Sequence, residues 1–175
     1  LIVPSMSNSQ DGIVTPHLPA WLRHFKGLFG LKGLKPHRKI FVSRENALTR
    51  KLLNSAELLM AIKGWEIVKM EELNIREQFK TFAEATHILA THGAGLVNTL
   101  WCNSGTKVIE IQDKNRIDKK VYPILSHHLG LKHEVYLSDV IKIKVKGGNK
   151  PAGVKRVNDL IDFKVNVPDL IRHLD

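Results

Sequence analysis

The chain has 175 residues, of which 43% are hydrophobic and 25% charged, and its formal net charge is +10. This length suits one globular domain, and the composition is not that of a disordered chain. No apolar run approaches the ~18–20 residues that span a bilayer, and the first residues lack the pattern of a signal peptide. A single cysteine, Cys102, excludes an internal disulfide and a multi-cysteine zinc site.

The excess of positive charge bears on partners rather than on fold. It favours polyanions, phosphorylated metabolites or an anionic membrane surface. A solvated basic face with no dedicated partner remains the alternative.

Apolar runs and helical periodicities alternate along the chain. Strands are predicted at 38–43, 65–69, 87–90, 107–112 and 133–137. Between them, apolar spacing and helix-start signals predict helices from Leu48 to Ile62, from Asn74 to about Glu84, after the glycines near 95, and at about 118–129. Asn54 with Glu57 and Asn74 with Glu77 both resemble capping boxes.

This alternation predicts an α/β fold: a Rossmann-like, mostly parallel sheet with helices on both faces. Residues 1–37 are predicted to be a lead-in segment with one helix near 18–29, and residues 38–175 the Rossmann-like domain. A basic loop is predicted at 146–155, and a closing helix near Pro168.

The stretch ATHGAGLVNTLW, residues 90–101, joins a predicted strand to a predicted helix. In open α/β sheets, ligands bind at the carboxyl ends of strands, where a helix N-terminus attracts phosphate. Gly93 and Gly95 would let an anion approach the backbone, and His92 could donate a hydrogen bond to it. A tight turn without a ligand is the alternative.

Arg44 and Arg50 follow the first predicted strand and should reach the same sheet edge. Guanidinium groups suit phosphate, although an ordinary exposed basic loop has the same composition. Glu110, on the next strand, could meet ribose hydroxyls. Asn98 stands where a dinucleotide fingerprint needs glycine, so a nicotinamide cofactor fits imperfectly.

Other chemistries find less support. No Gly-x-Ser-x-Gly elbow occurs in the sequence, which excludes the esterase interpretation of the His-Gly turn. The remaining histidines, His127, His128 and His133, lack metal-ligand spacing, and we interpret them as surface or core residues. A nucleic-acid-binding module would explain the charge but not the glycine turn.

Taken together, FVSRENALTRKLLN and GWEIVKMEELNIREQFKTFAEATHILATHGAGLVNTLWCNSGTKVIEI closely resemble the core of the family 61 glycosyltransferases. The matching pieces are Ser-Arg after the first strand with a second Arg nearby, Glu-Glu-Leu, His-Gly-Ala-Gly-Leu with Asn98, and Val-Ile-Glu. The resemblance covers about residues 38–112. The family includes capsular polysaccharide biosynthesis proteins of bacteria and eukaryotic xylosyl- and N-acetylglucosaminyltransferases.

The resemblance implies the C-terminal, donor-binding half of an inverting, metal-independent GT-B enzyme with two Rossmann-like domains. Its implied donor- and phosphate-binding residues are Ser43, Arg44, Arg50, His92, Gly93, Ala94, Gly95, Leu96 and Asn98. Glu110 would meet ribose or sugar hydroxyls. No metal or cofactor is implied, and the donor would be a nucleotide sugar such as a UDP-sugar.

Further expectations concern the rest of the enzyme. The chain begins with Leu1 rather than Met, so we expect a fragment or a processed product. The resemblance implies a missing N-terminal half that holds the general base, so no base is assigned in this chain. The expected partners are the donor, a glycan acceptor, that N-terminal domain and an anionic membrane surface, but not nucleic acid. The expected location is cytoplasmic and membrane-associated for a bacterial protein, and the Golgi or ER lumen for a eukaryotic one.

Overall fold

A computed structural model describes residues 18–114, 120–142 and 161–174. Its helices are α1 (Leu18–Leu28), α2 (Ser55–Ala61), α3 (Ile75–Ala83), α4 (Val121–Leu129) and α5 (Val167–Ile171). Its strands are β1 (Arg38–Ser43), β2 (Glu66–Lys69), β3 (Ala85–Thr91), β4 (Lys107–Asp113), β5 (Lys132–Lys142) and β6 (Ile161–Lys164). Two 3₁₀ segments, Met70–Glu72 and Ala94–Trp101, complete the described elements.

The strands form one sheet in the order β2-β1-β3-β4-β5-β6. All neighbouring strands are parallel except β5 and β6, which are antiparallel. The chain leaves β1 in one direction to make β2, and then crosses back to place β3 on the other side of β1. The order therefore reverses between β1 and β3, which is where doubly wound sheets bind ligands.

Apolar side chains cover both faces of the sheet. One face packs Phe41, Leu89 and Ile109 against α2, α5 and β6. The other face packs Ile40, Ile88 and Val108 against α3, the 3₁₀ helix and α4. Within each strand, neighbouring residues such as Ile40 and Phe41 point to opposite faces of the sheet, as the pleat of a strand requires. The prediction of an α/β, mostly parallel sheet with helices on both faces is confirmed.

The helix predicted from Leu48 is shorter in the structure and begins at Ser55. Leu48 and Leu53 are exposed, and residues 44–53 form a loop. The capping box predicted at Asn54 is wrong, because its side chain holds the backbone of Val165 through two hydrogen bonds of 2.9 and 3.2 Å. The capping box at Asn74 and Glu77 is confirmed.

The chain's last described part also departs from the prediction. Strand β5 extends to Lys142, and β6 was not predicted. On its other side β6 contacts the 44–53 loop: the amide of Arg50 donates to the Ile161 carbonyl at 2.6 Å. The predicted closing helix is confirmed as α5, and the basic loop 146–155 lies outside the described residues.

Helix α1 is confirmed close to its predicted position and packs on the 3₁₀ helix and α4. Leu22 is buried, and the ring of Phe29 meets the edges of Phe79 and Trp101. The division between residues 37 and 38 stays a prediction. Within the described ranges, no helix is long and apolar enough to cross a membrane.

Candidate functional site

A cleft of about 290 Å³ opens at the carboxyl ends of β1 and β3, where the strand order reverses. Of the predicted residues, it is lined by Ser43, Arg44, Gly95 and Leu96. Glu71 closes another side, and its carboxylate accepts a hydrogen bond of 3.0 Å from Asn46. Two loops that are 40 or more residues apart in sequence thus meet at one edge, as the sequence predicted.

Arg44 and Arg50 bring their guanidinium groups to the backbone of the glycine turn. Arg50 Nη1 donates to the carbonyl of His92 at 3.2 Å. A β-carbon added at Gly93 would lie 2.8 Å from Arg44 Nη1 and 3.7 Å from Arg50 Nη1. Both cations therefore lie against Gly93, and Arg50 also bonds the preceding residue, His92.

The backbone of Gly93 is extended, with φ 169°, so its conformation does not require glycine. The space favours glycine instead, because a β-carbon 2.8 Å from Arg44 Nη1 would force the far end of that flexible side chain to move. This is a close-approach glycine.

The positive charge of this pair is poorly compensated. Within the part of the chain that the structure describes, neither guanidinium forms an ion pair with a carboxylate. Burial lowers the pKa of Arg44, the charge of Arg50 lowers that pKa further, and the more distant Glu71 opposes both effects. Arg44 Nε is buried without a hydrogen-bond partner. A buried donor that has no hydrogen-bond partner and lies near another positive charge costs free energy, unless an anion accepts its hydrogen bond.

The segment after Gly93 is a 3₁₀ helix rather than an α-helix. Its first internal bond runs from the Leu96 amide to the Gly93 carbonyl at 3.0 Å. The amides of Ala94 and Gly95 precede that bond and have no acceptor inside the helix. Gly95 lines the cleft, so its amide is a candidate donor there, whereas Ala94 is exposed but does not line the cleft.

Beneath the turn lies a buried polar chain around Glu110. One carboxylate oxygen of Glu110 accepts from His92 Nδ1, and the other accepts from His133 Nε2 at 3.0 Å. The other ring nitrogen of His133, Nδ1, lies 2.8 Å from Ser126 Oγ. The edge of the His92 ring meets Tyr122, with ring centroids 5.4 Å apart. These groups come from β3, β4, β5 and α4 and fill one pocket of the core.

Burial alone would raise the pKa of the Glu110 carboxyl, but the hydrogen bonds from His133 and His92 outweigh burial and hold that pKa below its usual value. The carboxylate is therefore ionised in the folded protein. Among the described residues, no three His, Cys, Asp or Glu side chains are arranged to hold a metal ion.

Two predicted ligand contacts do not match this geometry. Glu110 is 0% exposed and both its oxygens are occupied, so it does not reach a sugar hydroxyl as predicted. Asn98 directs its amide to Gly95 O at 3.4 Å and to Gln78 Oε1 at 3.5 Å. It shapes the 3₁₀ helix in this arrangement rather than lining the cleft.

Tyr122, Ser126 and His133 belong to this site but were not predicted. His133 was interpreted as a surface or core histidine, and the structure buries it next to Glu110. A signal was present in the strand pattern: Val108 pairs with His133 and Glu110 with Val135, so His133 and Glu110 share a face. Only the strand register could reveal that pairing.

Comparison with known proteins identifies the family of the chain. The chain matches the Glycosyltransferase 61 family model over residues 1–109, more than half its length. It is also similar to a β-1,2-xylosyltransferase of Oryza sativa subsp. japonica, at 25% identity over 147 residues. That match covers 73% of this chain and 25% of the relative, so the chain spans about a quarter of the relative's length. With an α/β sheet, a cationic glycine turn at its switch point and this family match, the chain belongs to glycosyltransferase family 61.

Proposed function

We propose that the cleft between β1 and β3 binds the diphosphate of a nucleotide-sugar donor, and that the chain is the donor-binding part of a glycosyltransferase. The observation that carries this proposal is the Arg44–Arg50 pair against Gly93, with no carboxylate paired to either guanidinium among the described residues. A diphosphate supplies two adjacent negative charges and acceptor oxygens only, which matches the two guanidinium groups at the glycine turn.

The reaction proposed is transfer with inversion at the anomeric carbon. The acceptor oxygen forms a bond to that carbon as the bond to the diphosphate breaks, and the diphosphate leaves with the electron pair. The acceptor's proton passes to a base that we do not assign in this chain. Charge developing on the leaving group would be stabilised by the two arginines and the turn amides, which supports a metal-independent mechanism.

The GT-B arrangement and the identity of the donor also remain proposals. The parallel sheet with its switch-point cleft supports the assignment to a donor-binding Rossmann-like domain of a GT-B enzyme. The name of the rice relative describes formation of a β-1,2 xylosyl linkage, so a xylosyl donor is the first to test. Forming a β linkage from an α-linked nucleotide sugar inverts the anomeric carbon. A role in capsule biosynthesis is the bacterial alternative.

Calorimetric titration tests the proposal directly. UDP and UDP-xylose should bind the chain equally well with and without a chelator, and Arg44→Ala should weaken binding of UDP at least tenfold, since about 1.5–3 kcal/mol attaches to a charged hydrogen bond. Arg76→Ala removes an exposed arginine on α3 and is the matched control. Equal UDP affinity in Arg44→Ala and wild type would refute the assignment.

The rival function is nucleic-acid binding, which the net charge of +10 favours. The same titrations decide between them. Strongly salt-dependent binding of an oligonucleotide, with no heat from UDP, would support the rival. A response to NAD alone would instead support a nicotinamide-dependent enzyme.

A further inference from the structure

The side chains of Ser126, His133, Glu110 and His92 form a continuous polar chain under the glycine turn. Glu110 is ionised and accepts only, so both histidine nitrogens that face it, His92 Nδ1 and His133 Nε2, carry hydrogens. His133 Nδ1 lies 2.8 Å from Oγ of Ser126 and extends the chain to Ser126–His133–Glu110–His92.

This assignment leaves one ring nitrogen of His92, Nε2, for another partner. No hydrogen bond to His92 Nε2 exists among the described residues, and the His92 side chain keeps 16% exposure. The carbonyl of the same residue accepts from Arg50. His92 thus contacts a buried carboxylate through its ring and Arg50 through its carbonyl, close to the cleft that Thr91 lines.

Tyr122 shows that these charges share one neighbourhood. Burial raises the pKa of its phenol, and the charge of Glu110 raises it further, whereas Arg50 and Arg44 oppose that change. Tyr122, which packs on His92, is therefore influenced by the charges of Glu110, Arg44 and Arg50.

We infer that Ser126, His133 and Glu110 are positioning residues that fix His92 with Nδ1 toward Glu110 and Nε2 toward the diphosphate in the cleft. This inference rests on the proposed function. An ionised phosphate oxygen only accepts, so the nitrogen that meets it, Nε2, donates in the complex. The charged groups near His92 are Glu110, which bonds Nδ1, and the guanidinium groups of Arg44 and Arg50. The other titratable groups packed on His92 or its carboxylate are Tyr122 and His133.

Nitrogen NMR of ¹⁵N-histidine-labelled chain tests the positioning without any ligand. In the free protein, His92 should be in the Nδ1–H form and His133 in the Nε2–H form. In Glu110→Gln the Nδ1–H form of His92 should no longer dominate. Finding His92 in the Nε2–H form in wild type, or an unchanged form in Glu110→Gln, would overturn the inference.

Calorimetry of UDP tests whether this positioning affects ligand binding. Ser126→Ala should weaken UDP binding several-fold and Ser126→Thr, which keeps the hydroxyl, should restore it. His128→Asn changes an exposed histidine of the same helix as Ser126 and should match wild type.

The outcomes separate the two proposals. If UDP does not bind wild type at all, the donor-binding function fails, and the NMR forms still report on the buried chain. If UDP binds wild type and Ser126→Ala equally well, the positioning role fails and donor binding stands. If Glu110→Gln does not fold, Ser126→Ala against Ser126→Thr decides the question.

Discussion

The guanidinium of Arg44 fills the space that a side chain at Gly93 would occupy, with 2.8 Å between Nη1 and the position of a β-carbon. This one contact joins the loop after β1 to the turn after β3. Since Gly93 has an extended backbone, the residue is constrained by its neighbour and not by its torsion angles. That distinction makes substitution at Gly93 informative about the ligand site.

Gly93→Ala should fold normally and lose ligand affinity. The new methyl displaces the far end of a flexible side chain, which costs little stability, but it moves the Arg44 head from the position proposed for phosphate. We expect about tenfold weaker UDP binding and a shift in the free energy of unfolding of under about 1 kcal/mol. Calorimetry and urea denaturation measure the two quantities.

Gly27→Ala is the control for that variant. Gly27 lies in α1 with no atom within 4 Å of its added β-carbon, so alanine should stabilise the helix slightly and leave UDP affinity unchanged. Tight UDP binding by Gly93→Ala would show that the Arg44 head need not lie against this turn.

Arg44→Met should make the free protein more stable while removing its ligand site. Methionine keeps much of the apolar stem, and it removes a buried unpaired Nε and a charge close to Arg50. We expect a gain of about 1 kcal/mol in the free energy of unfolding together with loss of UDP binding. Arg76→Met, at an exposed position, should change both little. A destabilised Arg44→Met would mean that the arginine pair is structural.

Arg50 is the only non-glycine residue with positive φ in the described ranges, at 63°. Both Arg50→Gly and Arg50→Ala lose the bond to the His92 carbonyl, so they differ mainly in backbone strain. Arg50→Gly should be the more stable of the two by about 1 kcal/mol in urea denaturation. The neighbouring Lys51 does not have a left-handed backbone, so Lys51→Ala should be more stable than Lys51→Gly. If the glycine variant were the more stable one at both positions, that result would contradict backbone strain at Arg50.

Local signals in the sequence were sufficient to predict most strands of the sheet. The run RKIFVS predicted β1 residue for residue, and Asn74 with Glu77 formed the expected capping box, because such signals act over a few residues. Asn54 carries a similar pattern and fails, since its side chain is taken by Val165, 111 positions later. Strand β6 and its contact with Arg50 depend on the same distant segment.

The candidate site likewise has a part that the sequence predicted and a part that it did not. Arg44, Gly93 and Gly95 follow strands, so the rule that carboxyl ends of parallel strands meet at one edge brought them together. The same rule predicted that Glu110 meets a sugar hydroxyl, whereas its side chain is buried and bonded to His92 and His133, because the rule gives the edge but not the direction of a side chain. Val108 and Glu110 point to the α4 face, where His133 and Ser126 complete a pocket that only the tertiary structure brings together.

The lowered pKa of Glu110 gives a stability that depends on pH with a defined sign. A carboxyl whose folded pKa lies below its unfolded value stabilises the protein above the unfolded value, near 4.5, and this contribution is lost as pH falls through the folded value.

Glu110→Gln should therefore be less stable than wild type at about pH 7, by roughly 2 kcal/mol, because the buried histidine donors lose their ionised acceptor. This difference in the free energy of unfolding should narrow as the pH falls below 4.5, the ordinary pKa of glutamate, and Glu110 of wild type becomes protonated. Urea denaturation of both proteins between about pH 7 and about pH 3 measures the gap. Glu72→Gln, at an exposed position, should show a small gap at every pH. A gap for Glu110→Gln that stays constant into acid would mean that Glu110 is not held ionised by its two histidines.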